Sequence, residues 1–219
     1  MELLDWLFVI LLSLAIFTSI FMLISGIGWI TEYQKLNKVS AMKPSKKHMR
    51  AWLRYRLNLT DKVSKYRNNV IFAVIFSILF AGGSYYIRYY QSTSLTIKDS
   101  ENVVQGYFIV QELEKHLTEL PTTTNEKKVQ NTIYDLSSRL VSYGSNVPEP
   151  RLGKDEKLVL KQLYTRMKQL GINLAGLSIE QLKIKEVNSG YLKDIKRTQD
   201  AQEQVFAQFK VDKSALQQE

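Results

Sequence analysis

The chain has 219 residues, of which 45% are hydrophobic, 23% are charged and none is cysteine, and its formal net charge is +9. Its apolar residues concentrate in two blocks in the N-terminal part of the chain, which excludes a single soluble globule. The absence of cysteine excludes a disulfide framework, thiol catalysis and cysteine-ligated zinc.

The first apolar block, residues 7–30, contains no charged residue. At a rise of 1.5 Å per residue it reaches about 36 Å, enough to cross a hydrocarbon core of about 30 Å. Trp6 and Trp29 flank it and are predicted to anchor it at the two membrane interfaces. The alternative is a cleaved signal peptide, but the block is longer than a signal-peptide core and follows acidic rather than basic residues. We therefore predict a transmembrane helix over residues 7–30, after a short extracytoplasmic N-terminus of residues 1–6.

The second apolar block, residues 70–87, reaches about 27 Å as a helix and is bracketed by Arg67 and Arg88. Tyrosines cluster at its far end and are predicted to be interface anchors: Tyr85, Tyr86, Tyr89 and Tyr90. The alternative is a buried helix of a soluble core, but the flanking charges and tyrosines suit a bilayer boundary. We predict a second transmembrane helix over residues 70–90.

Each apolar block carries two small residues four positions apart, Ala15 and Ser19 in the first and Ala73 and Ser77 in the second. Small residues allow close approach of helices in lipid, where no hydrophobic effect drives helices together. We predict that these four residues pack the two helices as a hairpin; docking on another protein is the alternative.

The segment between the two blocks, residues 31–69, has eleven basic and two acidic residues. Because short loops rich in Lys and Arg stay on the cytoplasmic side, we predict a basic cytoplasmic loop, with the N-terminus and the C-terminal part outside. Six cations are predicted to contact anionic lipid or the cytoplasm: Lys43, Lys46, Lys47, Arg50, Arg54 and Arg56. Nucleic-acid binding is the competing interpretation of a basic segment with aromatic residues, but its position beside two membrane helices already explains the charge, so we expect no nucleic acid.

Residues 91–219 are predicted to form an extracytoplasmic helical domain with a polar C-terminal tail. Apolar residues recur at three- and four-residue spacing after possible N-caps at Asp99 and Ser100, and Pro121 ends this run. A short strand at residues 94–97 is possible. Short connections between the helices favour a small antiparallel bundle.

Other residues of this domain predict where helices begin and end. Gly144 suits a C-cap, Gly171 is expected to end the next helix, and residues 178–181 match a capping box. Ser189 and Gly190 are expected to break the last helix. An isolated apolar patch follows near the C-terminus and is a candidate docking site, with core packing as the alternative: Val205, Phe206 and Phe209.

The sequence contains no specific catalytic motif: neither a P-loop nor HExxH, GxGxxG or GxSxG is present. Glu112 and His116 share a helix face, but no matching pair of ligands appears elsewhere. We therefore expect no enzyme, no catalytic residue, no cofactor and no metal site.

These observations predict an all-α integral membrane protein with a two-helix transmembrane hairpin and a C-terminal extracytoplasmic helical bundle. Lysine outnumbers arginine 21 to 9, which favours a bacterium and hence its plasma (inner) membrane. The function we expect is that of a non-catalytic assembly or scaffold subunit of a multiprotein envelope complex, such as a secretion, conjugation or cell-wall machine. A sensor that signals through the basic loop, a homo-oligomeric pore and a membrane enzyme are the alternatives. The expected partners are membrane lipids and other membrane or envelope proteins, with homo-oligomers possible.

Overall fold

The computed structural model describes residues 3–42 and 44–212, and these residues form helices and connections without any β-strand. The all-α prediction is therefore confirmed for the part of the chain that is described. The chain divides into two compact units, residues 1–89 and residues 90–219. The first is a helical hairpin and the second is a helical bundle.

Two long helices, α1 (Leu3–Ala41) and α2 (Met49–Thr93), form the hairpin. They run antiparallel, since Trp52 Nε1 donates a hydrogen bond to the Val39 carbonyl oxygen at 3.1 Å near the connection. Farther from the connection, Ser19 Oγ and Ser77 Oγ lie 2.9 Å apart. Each helix is longer than a bilayer crossing requires, at about 58 Å for α1 and about 68 Å for α2.

The basic segment between the apolar blocks differs from the predicted loop. α1 continues to Ala41 and α2 begins at Met49, so the connection is confined to residues 42–48. Lys, Arg, Leu and Gln are good helix formers, and the two helices stop on either side of Pro44, since proline is poorly tolerated inside a helix. Most of the positive charge of residues 31–69 is therefore carried on two paired helices.

The hairpin exposes large apolar side chains along both helices, with Phe17 70%, Ile27 68% and Ile78 67% accessible. Soluble monomers rarely present a contiguous apolar surface of this kind. Both helices are long and apolar enough to cross a membrane, judged by length and composition. The coarse prediction of two helices able to span a bilayer is thus compatible with the structure.

Up to residue 212, where the described part of the chain ends, five further helices form the bundle: α3 (Ile97–Glu119), α4 (Glu126–Gly144), α5 (Lys154–Ala175), α6 (Ile179–Lys183) and α7 (Lys185–Phe209). One 3₁₀ turn, Leu120–Thr122, follows α3 and contains the Pro121 that was expected to end it. The apolar stripes of these helices meet in one core, whose fully buried members include Leu113, Leu117, Leu140, Leu163, Met167 and Ile195.

The start of α3 corrects two expectations. Thr96 is the N-cap, and its side chain accepts a hydrogen bond from the Asp99 backbone nitrogen, so the predicted caps at Asp99 and Ser100 are about three residues too late. Residues 94–97 form no strand. The Thr96 hydroxyl accepts a hydrogen bond from one of the first backbone amides of α3, which have no partner within the helix. A strand at this point would not need such a cap.

Gly144 and Gly171 lie where α4 and α5 pack together. α4 does end at Gly144, and its C-cap is Ser145, one residue later than expected. A Cβ on Gly144 would lie 2.5 Å from the Lys168 backbone nitrogen in α5, and one on Gly171 would lie 2.6 Å from the Ser137 carbonyl oxygen in α4. α5 continues past Gly171 to Ala175, so the predicted helix end was wrong. The two glycines, one on each helix, let the α4 and α5 backbones approach closely.

The capping box at residues 178–181 is confirmed, since Ser178 and Gln181 exchange side-chain hydrogen bonds with each other's backbone nitrogen at the start of α6. The expected break at Ser189 and Gly190 does not occur, because α7 is continuous from Lys185 to Phe209. A single exposed glycine costs a helix only about 1 kcal/mol, which the packing of α7 on the core outweighs.

Candidate functional site

The apolar patch near the C-terminus belongs to the core of the bundle. Val205 is fully buried, Phe206 is 2% exposed and Phe209 is half-buried. The Phe206 ring packs edge-on against the Tyr107 ring of α3, with centroids 5.4 Å apart. The structure therefore favours the alternative of core packing over a docking site at Val205, Phe206 and Phe209, and Phe206 contributes to the α3–α7 contact.

The four small residues of the hairpin lie along the contact between α1 and α2. Ala15 and Ala73 are buried, and the Ser19 and Ser77 hydroxyl groups bond to each other. Ser19 also donates to the Ala15 carbonyl oxygen at 2.8 Å, so in the pair with Ser77 it acts as the acceptor. The structure thus brings together the residues that were selected for helix packing.

The predicted aromatic anchors lie near the two ends of the apolar blocks. Gly83 approaches Leu11 and Tyr66 packs against Gly28, which sets the register of the two helices. In this register Trp6 lies level with the tyrosines of α2, all of them exposed: Tyr85, Tyr86, Tyr89 and Tyr90. Trp29 lies on α1 about 35 Å away, at 1.5 Å per residue. The separation matches a hydrocarbon core of about 30 Å with its interfaces.

The cations predicted to contact lipid lie toward the connection end of the hairpin. We call the described ones the basic tip: Lys46, Lys47, Arg50, Arg54 and Arg56. All five are exposed, and Arg56 lies over the Trp52 ring at 5.3 Å from its centroid. Lys43, also predicted for this role, falls outside the described residues.

A buried polar network, which the sequence analysis missed, joins α3, α5 and the connection before α5. Asp99 is 3% exposed and accepts hydrogen bonds from Tyr164 Oη at 2.8 Å, Thr96 Oγ1 at 3.0 Å and the Glu149 backbone nitrogen at 3.3 Å. Asn102 Nδ2 donates to Tyr164 Oη at 3.4 Å. Burial, with a further contribution from the Asp99 charge, raises the pKa of Tyr164 far above its ordinary value of 10.0. The phenol therefore stays protonated and acts as a donor to Asp99.

The network is suited to holding structure rather than to chemistry. Each Asp99 oxygen already accepts at least one hydrogen bond from the protein, and Asn146 Nδ2 donates to Asn102 Oδ1 at 3.2 Å. These bonds fasten the connection at residues 145–153 to α3 and α5. The sequence signal was the Thr96–Asp99 spacing, which is that of a capping motif, but the Tyr164 partner is 65 residues away.

Other polar groups of the bundle lie in separate pairs or alone within the described residues. His116 Nε2 and Glu112 Oε1 are 3.9 Å apart on α3, beyond hydrogen-bond distance. Within residues 3–42 and 44–212, no group of three or more potential ligands is placed to hold a metal ion. Both amide atoms of the buried Gln202 side chain have no hydrogen-bond partner in the described part of the bundle.

An open groove on the bundle surface, of about 640 Å³, is a candidate contact surface. The connection after α4 and the outer face of α5 line it, with Val147 82% and Ile172 51% exposed. Its cations are Lys157, Lys161 and Lys168, and none of the described residues lining it is acidic. We call this surface the bundle groove. It combines exposed apolar side chains with positive charge, a combination suited to an apolar segment that carries carboxylates.

Comparison with known proteins identifies no relative, since no family model, curated protein or solved structure matches this chain. The functional argument therefore depends on the chain's own residues.

Proposed function

We propose that this chain is a non-catalytic, membrane-anchored assembly subunit of a multiprotein bacterial envelope complex, of the secretion, conjugation or cell-wall type. The hairpin would anchor it in the plasma (inner) membrane. The excess of Lys and Arg in residues 31–69 favours a cytoplasmic position for the basic end of the hairpin. The N-terminus and the bundle would then lie outside the cytoplasm.

The bundle groove carries the proposal. An assembly subunit needs a surface for a partner, and Val147, at 82% exposed, is a large apolar side chain held in the open by a connection that the Asp99 network fastens. Asp99, Asn102 and Tyr164 are bonded to one another inside the bundle, and Asn146 of the connection is bonded to Asn102. A rigid surface without a reactive centre is typical of a protein that positions other proteins.

The test is to charge the groove and measure the size of the native particle. In the Val147→Asp/Ile172→Asp variant, two carboxylates replace apolar side chains that are already exposed, so folding should be retained. Ile97→Asp is the matched control, because Ile97 is 85% exposed at the start of α3 and does not line the groove. The tagged chains would be extracted in mild detergent, sized, and analysed by mass spectrometry.

We expect wild type and Ile97→Asp to elute in one large particle with defined membrane or envelope proteins, and the groove variant to elute alone. A particle that survives in the groove variant would exclude the groove as the assembly surface. A wild-type particle that contains only this chain would contradict the assembly role and favour a homo-oligomeric pore or a sensor.

A further inference from the structure

The register of the hairpin places charged residues of α2 beside apolar residues of α1. The apolar block of α1 extends to Ile30, whereas that of α2 begins only at Val70. Tyr66 packs against Gly28, so the charged neighbours of Tyr66 lie level with the last apolar turn of α1. At the level of Gly28 and Tyr66, the hairpin is therefore apolar on α1 and positively charged on α2.

Two cations of α2, Lys65 and Arg67, lie at this height, and a third, Lys62, lies one turn closer to the connection. We call these three residues the basic collar. At about 100° per residue, Lys65 and Arg67 lie on opposite sides of Tyr66, which faces α1. The collar therefore presents positive charge to both flanks of the hairpin. None of the three has an ion-pair partner among the described residues, whereas Lys35 of α1 is bound to Glu32 at 2.6 Å.

The depth of the collar matches the headgroup layer. Trp6 and Trp29 are about 35 Å apart along α1, so when Trp6 lies at one interface Trp29 lies at the other. Lys65 and Arg67 are level with Trp29. The basic tip lies farther from this layer, because α1 runs a further ~17 Å beyond Ile30 before the connection begins. This distance is about twice the Debye length of ~8 Å at physiological salt, so salt screens the attraction between the tip and the headgroups.

We propose that the basic collar, and not the basic tip, is the site at which this protein binds anionic phospholipid headgroups. The inference rests on the proposed insertion of the hairpin in a membrane. Lys and Arg at this depth extend their alkyl stems along the helix and place their charges at the lipid phosphates. Asp61 is the acidic residue of this stretch of α2, and the three cations outnumber it.

Two variants with the same change of charge separate the collar from the tip. The collar variant is Lys62→Gln/Lys65→Gln/Arg67→Gln, and the tip variant is Lys46→Gln/Lys47→Gln/Arg50→Gln. Each removes two lysines and one arginine from exposed positions. The full chain would be reconstituted in phosphatidylcholine vesicles containing trace spin-labelled phosphatidylglycerol or spin-labelled phosphatidylcholine. Electron spin resonance then gives the preference of the protein-bound shell for the anionic lipid.

We expect wild type and the tip variant to prefer phosphatidylglycerol, and the collar variant to lose about five-fold or more of that preference, since a cation near the surface contributes about 1 kcal/mol. An equal or larger loss in the tip variant would overturn the proposal, as would a wild type without preference. Alkaline extraction of the same vesicles tests the underlying insertion. Release of the wild-type chain would refute the membrane placement itself, whereas a retained but unselective chain would refute only the collar.

Discussion

Replacing a helical glycine with alanine usually stabilises a protein, but we expect the opposite effect at Gly144 and Gly171, the two glycines between α4 and α5. Alanine at an exposed helical position stabilises a helix by about 1 kcal/mol relative to glycine. At Gly144 the added Cβ would lie 2.5 Å from the Lys168 nitrogen and 2.8 Å from the Tyr164 carbonyl oxygen. Because both are backbone atoms, they can give way only if α5 moves away from α4. We therefore expect Gly144→Ala to destabilise the bundle.

The magnitude follows from two opposing effects. Overpacking a tight contact typically costs about 1–3 kcal/mol of stability. Because the clash in Gly144→Ala is with backbone atoms, we expect a cost of ~3 kcal/mol. The helix-propensity gain of about 1 kcal/mol offsets part of that cost, which leaves a net loss of about 2 kcal/mol. For a unit of this size, 1 kcal/mol corresponds to roughly 4 °C, so we expect the melting temperature of the bundle to fall by ~8 °C. The same reasoning holds for Gly171→Ala.

Gly190→Ala is the matched control, since a Cβ at this position in α7 would meet nothing within 4 Å. We expect it to raise the melting temperature by about 4 °C. The assay is thermal unfolding of the full chain in mild detergent, followed by circular dichroism at 222 nm. If Gly144→Ala and Gly190→Ala shift the transition by the same amount and in the same direction, the close approach of α4 and α5 is refuted.

Three further changes probe the network, the core and the hairpin. Tyr164→Phe should cost about 1.5–3 kcal/mol by removing a buried donor to a carboxylate, measured by the same unfolding assay. Because folding raises the pKa of Tyr164, this phenol loses its proton at a lower pH in the unfolded chain than in the folded chain. The stability of the wild-type bundle should therefore fall as the pH rises above about 10, and this part of the pH dependence should vanish in Tyr164→Phe. Gln202→Leu should stabilise the bundle by about 1 kcal/mol or more, because it removes a buried amide without partners. Ser19→Cys/Ser77→Cys should form an intramolecular disulfide on mild oxidation, visible as a mobility shift on a non-reducing gel.

Controls for these changes are available in the same chain. Tyr134→Phe alters a tyrosine that is 60% exposed and should leave stability unchanged, so an equal loss in both variants would contradict the network. In Phe17→Cys/Ser77→Cys, one thiol replaces a side chain of α1 that is 70% exposed, so this pair should not cross-link. Cross-linking of this pair but not of the serine pair would refute the register on which the basic collar depends.

Features that depend on local spacing could be predicted from the sequence. The capping box at residues 178–181 and the two apolar blocks were visible because each is decided by neighbouring residues. The small residues at Ser19 and Ser77 could be selected for packing because membrane helices favour them at contacts.

Features that depend on partners distant in the sequence could not be predicted from it. Gly144 has the signature of a C-cap, and only the α5 backbone beside it shows that it acts in packing. Phe206 looks isolated in a polar stretch, yet Tyr107 of α3 packs against it from about 100 residues away. The Asp99–Tyr164 bond likewise joins residues 65 positions apart. The predicted basic loop differs from the structure for another reason, since the charge pattern of residues 31–69 does not show that α1 and α2 both extend into this segment.

The central claim is that the hairpin spans the membrane with its basic end inside and the bundle outside. The absence of native cysteine allows a direct measurement. Single cysteines at Lys46, in the basic tip, and at Tyr134, exposed on α4, would be treated with an impermeant maleimide in intact spheroplasts. The account predicts labelling of Tyr134→Cys in intact spheroplasts and of Lys46→Cys only after permeabilisation. Labelling of Lys46→Cys alone before permeabilisation would contradict it.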